Sequence, residues 1–308
     1  MRIAIAGTGD LARYFYTSLP HHGHTPVALT RSHKPFLTDL SIEQRITDYY
    51  NIPSLTSHLI DCDAIISTIS TTGPTHVFAH LALLEACKLS PRCKRFIPSE
   101  WTGNIETHPH LEPRYMHSTR EPIRQALRAQ NEIEWTLVLV GWFAEYLLPV
   151  GHGGRFFGEL SVGWPVDFAG RVFVLYGEGE RGVTVTSARD AVAAVVGLLE
   201  GERAWEEYTH LVGETVSWRG LLEALRGRGG EWMVVERGHE EAMRRVEEAE
   251  RGGEHGEKVE AQLQMLGFTE YNCLDLEKAR RQRDGYFHGV PFRGVGQILD
   301  EAEAKRME

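Results

Sequence analysis

The 308-residue sequence lacks the features of a membrane-spanning, nucleic-acid-binding or secreted protein. No apolar run approaches the length of a transmembrane helix, so no membrane contact is expected. The formal net charge of -10 argues against a nucleic-acid surface, because phosphate contacts need clustered lysine and arginine. The N-terminus enters a strand-like segment directly, without the charged and apolar regions of a secretory signal. A cytoplasmic protein is therefore expected.

Cysteine is scarce, and the histidines do not follow a metal-binding pattern. The four cysteines show neither C-x-x-C spacing nor the density of a disulfide scaffold, which predicts reduced thiols: Cys62, Cys87, Cys93 and Cys273. Histidines cluster at residues 21–24 and again at His108 and His110. Both clusters lie in segments rich in proline or glycine, without supporting carboxylates or cysteines. We predict solvated loop histidines and no metal.

Hydrophobic residues make up 42% of the chain, enough for one large core and a smaller one. In the first half, short apolar segments alternate with segments of helical spacing. This alternation is typical of an α/β fold with a Rossmann-type, doubly wound parallel sheet. The predicted strands are residues 3–6, 27–30, 64–67, 95–97 and 135–140. Helices are predicted after the first strand and over residues 77–88 and 119–130.

A glycine-rich turn joins the first strand to the first helix. The apolar run ends at two glycines, and apolar residues then return at helical spacing, with Ala12 in the third position of a G-x-G-x-x-A pattern. Free N–H groups at the start of such a helix hold a pyrophosphate, so the pattern predicts a dinucleotide site. The alternative is a turn with only a structural role. The expected cofactor contacts are Gly7, Thr8, Gly9, Asp10 and Leu11.

The end of the second strand indicates which dinucleotide is bound. An NAD site places an aspartate or glutamate there, which accepts a hydrogen bond from the ribose 2′-hydroxyl. This sequence has no acid at that point, but it has Arg31 and Lys34. Both attract a 2′-phosphate, Arg31 with a planar fork of donors and Lys34 as a point charge. We predict NADP(H) as the cofactor, against the alternative of a solvated basic loop.

Ligands of such sheets lie beyond the carboxyl ends of the strands, in residues 68–74, 98–104 and 141–147. The expected cofactor contacts in the first two segments are Thr68, Ser70, Pro98, Ser99 and Glu100. Ser99 and Glu100 have an alternative role in fixing their loop through backbone hydrogen bonds. Large aromatic side chains form a predicted wall for a flat, unsaturated substrate, with core packing as the alternative: Trp101, Trp142, Phe143 and Tyr146.

After about residue 148 the composition changes, which predicts a smaller substrate-binding domain over residues 149–308. The cofactor-binding domain, residues 1–148, is expected to be completed by about residues 182–200. There an alternating strand precedes a helix, with Ser187 as N-cap and Asp190 as an approximate capping-box partner. Residues 236–260 are charge-dense and broken by glycines, which predicts a solvated helix with a flexible break. The alternative for this segment is a mobile cover over the substrate cleft.

Several segments resemble the isoflavone reductase-like and NmrA-like proteins, which are atypical relatives of the short-chain dehydrogenases. The most specific is residues 94–100, KRFIPSE, which is similar to the family's K-R-F-x-P-S-E-F segment. The glycine turn and four further segments follow in the family's order, at residues 63–68, 135–146, 185–190 and 286–293. The resemblance therefore spans nearly the whole chain, and it is strongest with fungal members that are often encoded beside secondary-metabolite enzymes.

The resemblance implies a catalytic helix after the P-S-E loop, because the family's plant reductases carry a lysine there and reduce phenylpropanoids and isoflavonoids with NADPH. Matching residues 123–127 to the family's V-R-R-A-I puts Arg120 at the position of that lysine. Arginine stays protonated, so Arg120 is suited to holding the nicotinamide ribose or polarising a carbonyl, and not to donating a proton. Tyr115 and His117 are the alternative proton donors. The other interpretation of each is an ordinary residue at the surface or at the start of the helix.

The sequence thus predicts an NADPH-dependent reductase of an aromatic or polyketide-like secondary metabolite, acting by hydride transfer. The replaced lysine favours a non-redox cyclase, isomerase or dehydratase on the same fold as one alternative. A second alternative is an NmrA-like regulator that binds cofactor without catalysis, which the aromatic wall disfavours because a regulator needs no apolar cleft. The expected partner is a small molecule, and a homodimer is left open.

Overall fold

A computed structural model describes residues 1–71, 73–160 and 163–307. The first half of the chain forms a parallel sheet with helices on both faces. Its elements in chain order are β1 (Arg2–Ala6), α1 (Asp10–Ser18), β2 (Thr25–Thr30), α2 (Pro35–Asp39), β3 (Glu43–Ile46), α3 (Ile52–His58), β4 (Ala64–Ser67), α4 (Pro74–Leu89), β5 (Arg95–Ile97), α5 (Arg114–Arg128) and β6 (Glu134–Trp135). The six strands lie in the order β3-β2-β1-β4-β5-β6, and every neighbouring pair is parallel. The predicted Rossmann-type sheet is confirmed.

Strand β1 lies inside this sheet and separates two hydrophobic cores. Ile3 and Ile5 face the core in which α1 packs, whereas Ala4 and Ala6 face the core covered by α3, α4 and α5. Alternate residues of a strand point to opposite faces, so a strand that is buried on both faces must be apolar throughout. This double burial is the reason that β1 forms an unbroken apolar run in the sequence.

Two parts of the sheet differ from the sequence prediction. The strand predicted over residues 135–140 is wrong as a single element, because β6 ends at Trp135 and β7 (Leu137–Leu139) pairs instead with β12 (Tyr208–His210). The break falls at buried Thr136, whose hydroxyl bonds the hydroxyl of Thr209 at 2.7 Å. Sequence analysis also missed β3, since this edge strand reads Glu-Gln-Arg-Ile and shows no apolar pattern.

The second half adds smaller sheets and a third hydrophobic core. The further elements are β8 (Trp142–Phe143), β9 (Val166–Asp167), β10 (Val172–Tyr176), β11 (Gly182–Thr186), α6 (Ala188–Glu200), β13 (Glu214–Ser217), α7 (Trp218–Arg226), β14 (Met233–Arg237), α8 (His239–Gly252), α9 (His255–Met265), α10 (Leu276–Tyr286) and α11 (Val295–Met307). Strand β11 pairs with β8 and β13, and α6 packs into the same core as α1. The division into domains at residue 148 stays a prediction.

Helix α6 begins as predicted, but Glu145, and not Asp190, accepts a hydrogen bond from its first turn. The Ser187 hydroxyl accepts a hydrogen bond from the backbone N–H of Arg189 at 3.2 Å, so Ser187 is the N-cap. Asp190 is wrong as a capping-box partner, because its buried carboxylate accepts hydrogen bonds from the guanidinium and backbone N–H of Arg293. The buried carboxylate of Glu145 instead accepts from the backbone N–H of Ala188.

The charged segment 236–260 contains the end of β14 and the helices α8 and α9, which are separated at Gly253. Most of its side chains are exposed, as expected of a solvated helix with a break, whereas Ala242 and Ala249 are buried. The flexibility of the break stays a prediction. No helix in the described ranges combines the length and the apolar character needed to cross a bilayer.

The histidine prediction is wrong at one position. His21, His22 and His110 are exposed, but His24 is buried, with Nε2 3.1 Å from a carboxylate oxygen of Glu200. Burial lowers the pKa of His24. Within residues 1–71, 73–160 and 163–307, no group of three or more histidines, cysteines and acids is arranged to hold a metal ion. The four cysteines carry free thiols.

Candidate active site

A cavity of about 440 Å³ lies at the carboxyl ends of β1, β2 and β4, where the strand order reverses. Ligands of open α/β sheets bind at this point of the fold. We call it the switch-point cavity, and its walls are Gly7, Thr8, Gly9, Thr30, Arg31, Ser32, Lys34, Asp48, Tyr49, Tyr50, Thr68, Ile69, Ser70, Thr71, Thr75 and Ala79. Seven of the twelve predicted cofactor contacts are among them: Gly7, Thr8, Gly9, Arg31, Lys34, Thr68 and Ser70.

The two glycines of the turn are required for different reasons. Gly7 has φ +120°, and a Cβ there would lie 2.6 Å from the hydroxyl oxygen of Thr68. Gly9 has φ -77°, which any residue adopts, and a Cβ there would meet no protein atom within 4 Å. Gly9 caps α1 without a side-chain hydrogen bond, so free N–H groups at the helix start face open space. This open space fits the pyrophosphate of a dinucleotide.

Asp10 and Leu11 differ from the other residues of this turn. Neither lines the switch-point cavity, and Leu11 packs in the core beside α1. The carboxylate of Asp10 accepts a hydrogen bond from the backbone N–H of Gly158 at 3.0 Å. Only the backbone of these two residues is therefore placed for the predicted contact with a cofactor.

Two cations and no acid follow β2, as the sequence indicates. Arg31 and Lys34 line the switch-point cavity, and neither forms an ion pair within the described part of the chain. Sequence analysis missed Asp48, Tyr49 and Tyr50, which enter the same cavity after β3. Recognising β3 would have revealed them, because residues after a parallel strand fall at the ligand-binding edge.

The loop after β5 is fixed by a buried histidine that sequence analysis missed. The ring of His80 accepts at Nε2 from the Ser99 backbone N–H at 3.3 Å and bonds the Ser67 hydroxyl at 2.9 Å. Its Nδ1 lies 2.8 Å from the carbonyl oxygen of His76, which requires the proton on Nδ1. Burial lowers the pKa of His80 to about 4. Pro98 and Ser99 do not line the switch-point cavity, so their predicted cofactor contact is not supported by this geometry.

Glu100 is held in a buried ionic network and is directed away from the switch-point cavity. Arg124 donates to both carboxylate oxygens of Glu100 at 2.9 Å, and to both oxygens of Glu112 at 2.7 and 2.8 Å. All three side chains are almost fully buried. Glu100 therefore joins the loop after β5 to helix α5, and its predicted role as a cofactor contact is wrong in this structure.

The three predicted catalytic residues lie on α5, which begins at Arg114 and thus before the predicted start. Tyr115 is half-buried, and this burial raises the pKa of its hydroxyl to about 12. His117 faces outward, because its side chain is 55% exposed and its Nδ1 pairs with Glu112 at 3.2 Å. His117 lines neither of the cavities that border α5 and the sheet, so its assignment as proton donor is not supported.

Arg120 lies in the middle of helix α5. Its Nε is 3.6 Å from a carboxylate oxygen of Glu100, and its buried Nη1 has no hydrogen-bond partner among the described residues. Burial is the main influence on the pKa of His76 and of Tyr115, and the charge of Arg120 contributes to both. The guanidinium is thus close to both side chains, and Nη1 is a free donor.

A second cavity of about 210 Å³ contains all four predicted wall residues and Tyr115. We call it the aromatic slot, and it is lined by Trp101, Thr102, Gly103, Tyr115, Met116, Gly141, Trp142, Phe143, Tyr146, Leu160, Leu263, Leu266, Tyr271 and Asn272. The indole N–H of Trp101 donates to the carbonyl oxygen of Ser67 at the end of β4, one residue before Thr68, which lines the switch-point cavity. The contact of these aromatic residues with a substrate stays a prediction.

The roof of the slot, residues 155–160, is anchored to helix α1. The ring of Phe157 stacks on Phe143 with centroids 4.9 Å apart, and Leu160 lines the slot directly. The next residue back, Phe156, donates its backbone N–H to the Tyr14 hydroxyl at 2.9 Å. Helix α1 therefore borders the switch-point cavity at its N-cap residue, Gly9, and contacts the roof along its side.

The chain is similar to fungal oxidoreductases over nearly its whole length. Oxidoreductase swnR of Metarhizium robertsii is 37% identical over 304 residues, which cover 98% of each chain. Oxidoreductase swnR of Arthroderma benhamiae is 33% identical over 306 residues, which cover 99% of this chain and 98% of that one. The isoflavone reductase homolog A622 of Nicotiana tabacum is 24% identical over 220 residues, which cover 68% and 67% of the two chains.

Solved structures show the same fold at lower sequence identity. The binary complex of leucoanthocyanidin reductase and NADPH from Vitis vinifera has a TM-score of 0.75 at 16% identity, covering 99% of this chain and all of that one. A crystal structure of isoflavone reductase has a TM-score of 0.72 at 16% identity, covering 97% and 98% of the two chains. No protein-family model matches the chain.

Proposed function

Because this chain belongs to the isoflavone reductase-like family, together with the fungal swnR oxidoreductases, we propose that it is an NADP-dependent oxidoreductase that reduces a flat aromatic or polyketide-like metabolite. One observation carries this proposal. The indole N–H of Trp101, which lines the aromatic slot, donates to the carbonyl oxygen of Ser67, and the next residue, Thr68, lines the switch-point cavity. The two cavities are therefore neighbours, as a nucleotide site and a substrate site must be. When bound, NADPH supplies a hydride.

The switch-point cavity fits NADPH in both charge and shape. The free N–H groups after Gly9 hold the pyrophosphate, and the space beside Gly9 admits it without a clash. Arg31 and Lys34 hold the 2′-phosphate, because each is a cation without a carboxylate partner in the described chain. Asp48 and Tyr50 border the same space.

Two residues of helix α5 favour reduction of a carbonyl group in the slot. Arg120 lines neither cavity, but its charge acts on Tyr115, which lines the slot, and its buried Nη1 has no partner in the described chain. A guanidinium donor stabilises the negative charge that develops on a carbonyl oxygen. Tyr115 remains protonated at neutral pH, because burial raises its pKa to about 12, and it serves as a hydrogen-bond donor. The aromatic walls exclude water from the reacting carbon.

Deuterium transfer tests this function. The protein is incubated with NADPH that carries deuterium at nicotinamide C4 and with a panel of aromatic ketones, quinones and polyketide-like enones. We expect deuterium in at least one reduced product, detected by mass spectrometry. The assignment is rejected if NADPH binds with a defined stoichiometry but no panel member gains deuterium.

A second candidate is a non-redox cyclase, isomerase or dehydratase, favoured by Arg120 at the position of the family's lysine. Gly9→Val separates the two, because the added side chain fills only the open space beside the turn. The variant is expected to stay folded and to lose nucleotide binding. A reductase then loses all turnover, whereas activity that survives without bound nucleotide supports the non-redox reaction. The homodimer and the cytoplasmic location stay predictions.

A further inference from the structure

The indole N–H groups of six of the seven tryptophans fall into two sets. One set donates to backbone carbonyl oxygens at 3.0–3.1 Å, and consists of Trp101, Trp164, Trp205 and Trp218. The other set has a buried indole nitrogen with no hydrogen-bond partner in the described chain, and consists of Trp142 and Trp232. A buried donor that lacks an acceptor carries a free-energy cost, so it calls for an explanation.

The unpartnered donor of Trp142 belongs to a side chain that lines the aromatic slot. Its backbone is fixed, because Trp142 pairs with Val185 in the sheet and follows Gly141, where a Cβ would lie 2.2 Å from the carbonyl oxygen of Thr184. Its ring packs on Trp164 with centroids 5.1 Å apart. The donor is therefore presented by a rigid side chain.

Several other polar groups of the slot are already satisfied within the protein. The hydroxyls of Tyr271 and Thr102 bond each other at 2.8 Å, and the Asn272 amide donates to the carbonyl oxygen of Leu266 at 3.0 Å. The Trp101 indole is bonded to Ser67. An indole N–H can only donate a hydrogen bond, so the group that pairs with Trp142 must be an acceptor.

We propose that the Trp142 indole N–H determines substrate specificity by donating a hydrogen bond to an oxygen acceptor on a flat, otherwise apolar ligand. The proposal rests on the proposed function of the slot as the substrate site. The aromatic walls select the flat carbon skeleton, and Trp142 selects a carbonyl or ether oxygen on it. A hydrocarbon of the same shape leaves the donor unsatisfied, and the protein discriminates against it.

A matched pair of probes tests the donor directly. 1-Indanone and indane share one fused ring system and differ by a carbonyl group. Their affinities for the protein saturated with NADP⁺ are measured by calorimetry, so that no turnover occurs. The wild type is expected to bind 1-indanone roughly five- to tenfold more tightly than indane, the scale of one hydrogen bond. In Trp142→Phe this preference is expected to fall several-fold, by the contribution of one hydrogen bond, because 1-indanone affinity alone is lowered.

Two control variants locate the effect. Trp164→Phe removes an N–H that is already bonded to the carbonyl oxygen of Tyr146, and Trp232→Phe removes the other unpartnered N–H, which lines a separate cavity beside Phe168. Both are expected to retain the preference for 1-indanone. The inference is overturned if the preference survives in Trp142→Phe, if Trp232→Phe abolishes it, or if neither probe binds the wild type.

Nuclear magnetic resonance supplies a readout on the wild-type protein, and needs a variant only to assign one signal. The protein has seven tryptophans, and Trp142→Phe assigns the indole N–H signal of Trp142. In the wild type, 1-indanone is expected to shift that signal and indane to leave it in place. Equal shifts with both probes would contradict the hydrogen bond. If the wild type transfers no deuterium but still binds 1-indanone more tightly than indane, the reductase function is rejected and the role of Trp142 stands.

Discussion

At the scale of single residues, Arg31 determines the expected choice between NADPH and NADH. A charge-assisted contact to phosphate is worth roughly 1.5–3 kcal/mol, so we expect NADPH to bind at least about tenfold more tightly than NADH. Arg31→Ala should remove most of this preference, as measured by fluorescence titration of both nucleotides. Arg244→Ala, which removes an exposed cation on α8, is the control and should keep it. Equal wild-type affinities for the two nucleotides would contradict the prediction.

Arg120 is the residue at which the chain departs from the reductases it resembles. If its free Nη1 donor stabilises the developing charge, Arg120→Ala should lower the rate by about 10²–10³. Its pH–rate profile should show no new ionisation, because arginine does not titrate in the working range. Arg120→Lys is the sharper test, since a reductase should tolerate it or gain a basic-limb pKa. An unchanged rate in both variants would pass the catalytic role to Tyr115.

At the scale of secondary structure, the network around Arg124 attaches α5 to the loop after β5, which leads into the slot residues 101–103. Arg124→Met leaves the carboxylates of Glu100 and Glu112 buried without their main partner, so a loss of about 3–5 kcal/mol in unfolding free energy is expected. Urea denaturation measures it. Arg128→Ala, on the same helix, breaks half-exposed contacts with Glu207, Glu121 and Tyr208 and should cost less than about 1 kcal/mol. Similar losses in the two variants would argue against this role.

Some elements could be predicted from the sequence because their signal is local. The glycine turn combines a strand, two glycines and a helix within twelve residues, and the aromatic wall follows from large rings placed just after strands. Strand β3 gave no such signal, since its edge position leaves its side chains polar. The pairing of Glu100 with Arg124, and of His80 with Ser99, joins residues that are distant in sequence. Such pairs depend on tertiary packing, which no single segment encodes.

At the scale of the whole molecule, buried histidines in three separate parts of the chain make stability depend on pH. Burial lowers the pKa of His76 to about 2 and that of His80 to about 4, and it also lowers the pKa of His24 and His210. Each is expected to titrate near its ordinary pKa of 6.5 once unfolded, so the unfolded chain takes up protons that the folded protein does not. Stability is therefore fully present above about pH 6.5 and is lost as the pH falls.

The expected slope is about 1.4 kcal/mol per pH unit for each histidine that protonates only on unfolding. Burial raises the pKa of Glu145, which acts in the opposite direction and reduces the total. Urea denaturation at several pH values measures the slope, and His76→Asn should reduce proton uptake on unfolding at about pH 5.5 by nearly one proton. A slope unchanged by this substitution would contradict the assignment.

The hydrogen bond between the roof and helix α1 has a thermodynamic consequence, because α1 then takes part in the binding of two ligands. Tyr14 holds the roof at Phe156, and the first turn of the same helix faces the pyrophosphate position. Binding of NADP⁺ should therefore favour binding of 1-indanone, and reciprocity requires that each ligand raise the affinity of the other by the same factor, about fivefold or more. Tyr14→Phe removes the bond and should bring both factors towards one. Affinities that do not depend on the second ligand would show that the two cavities act independently.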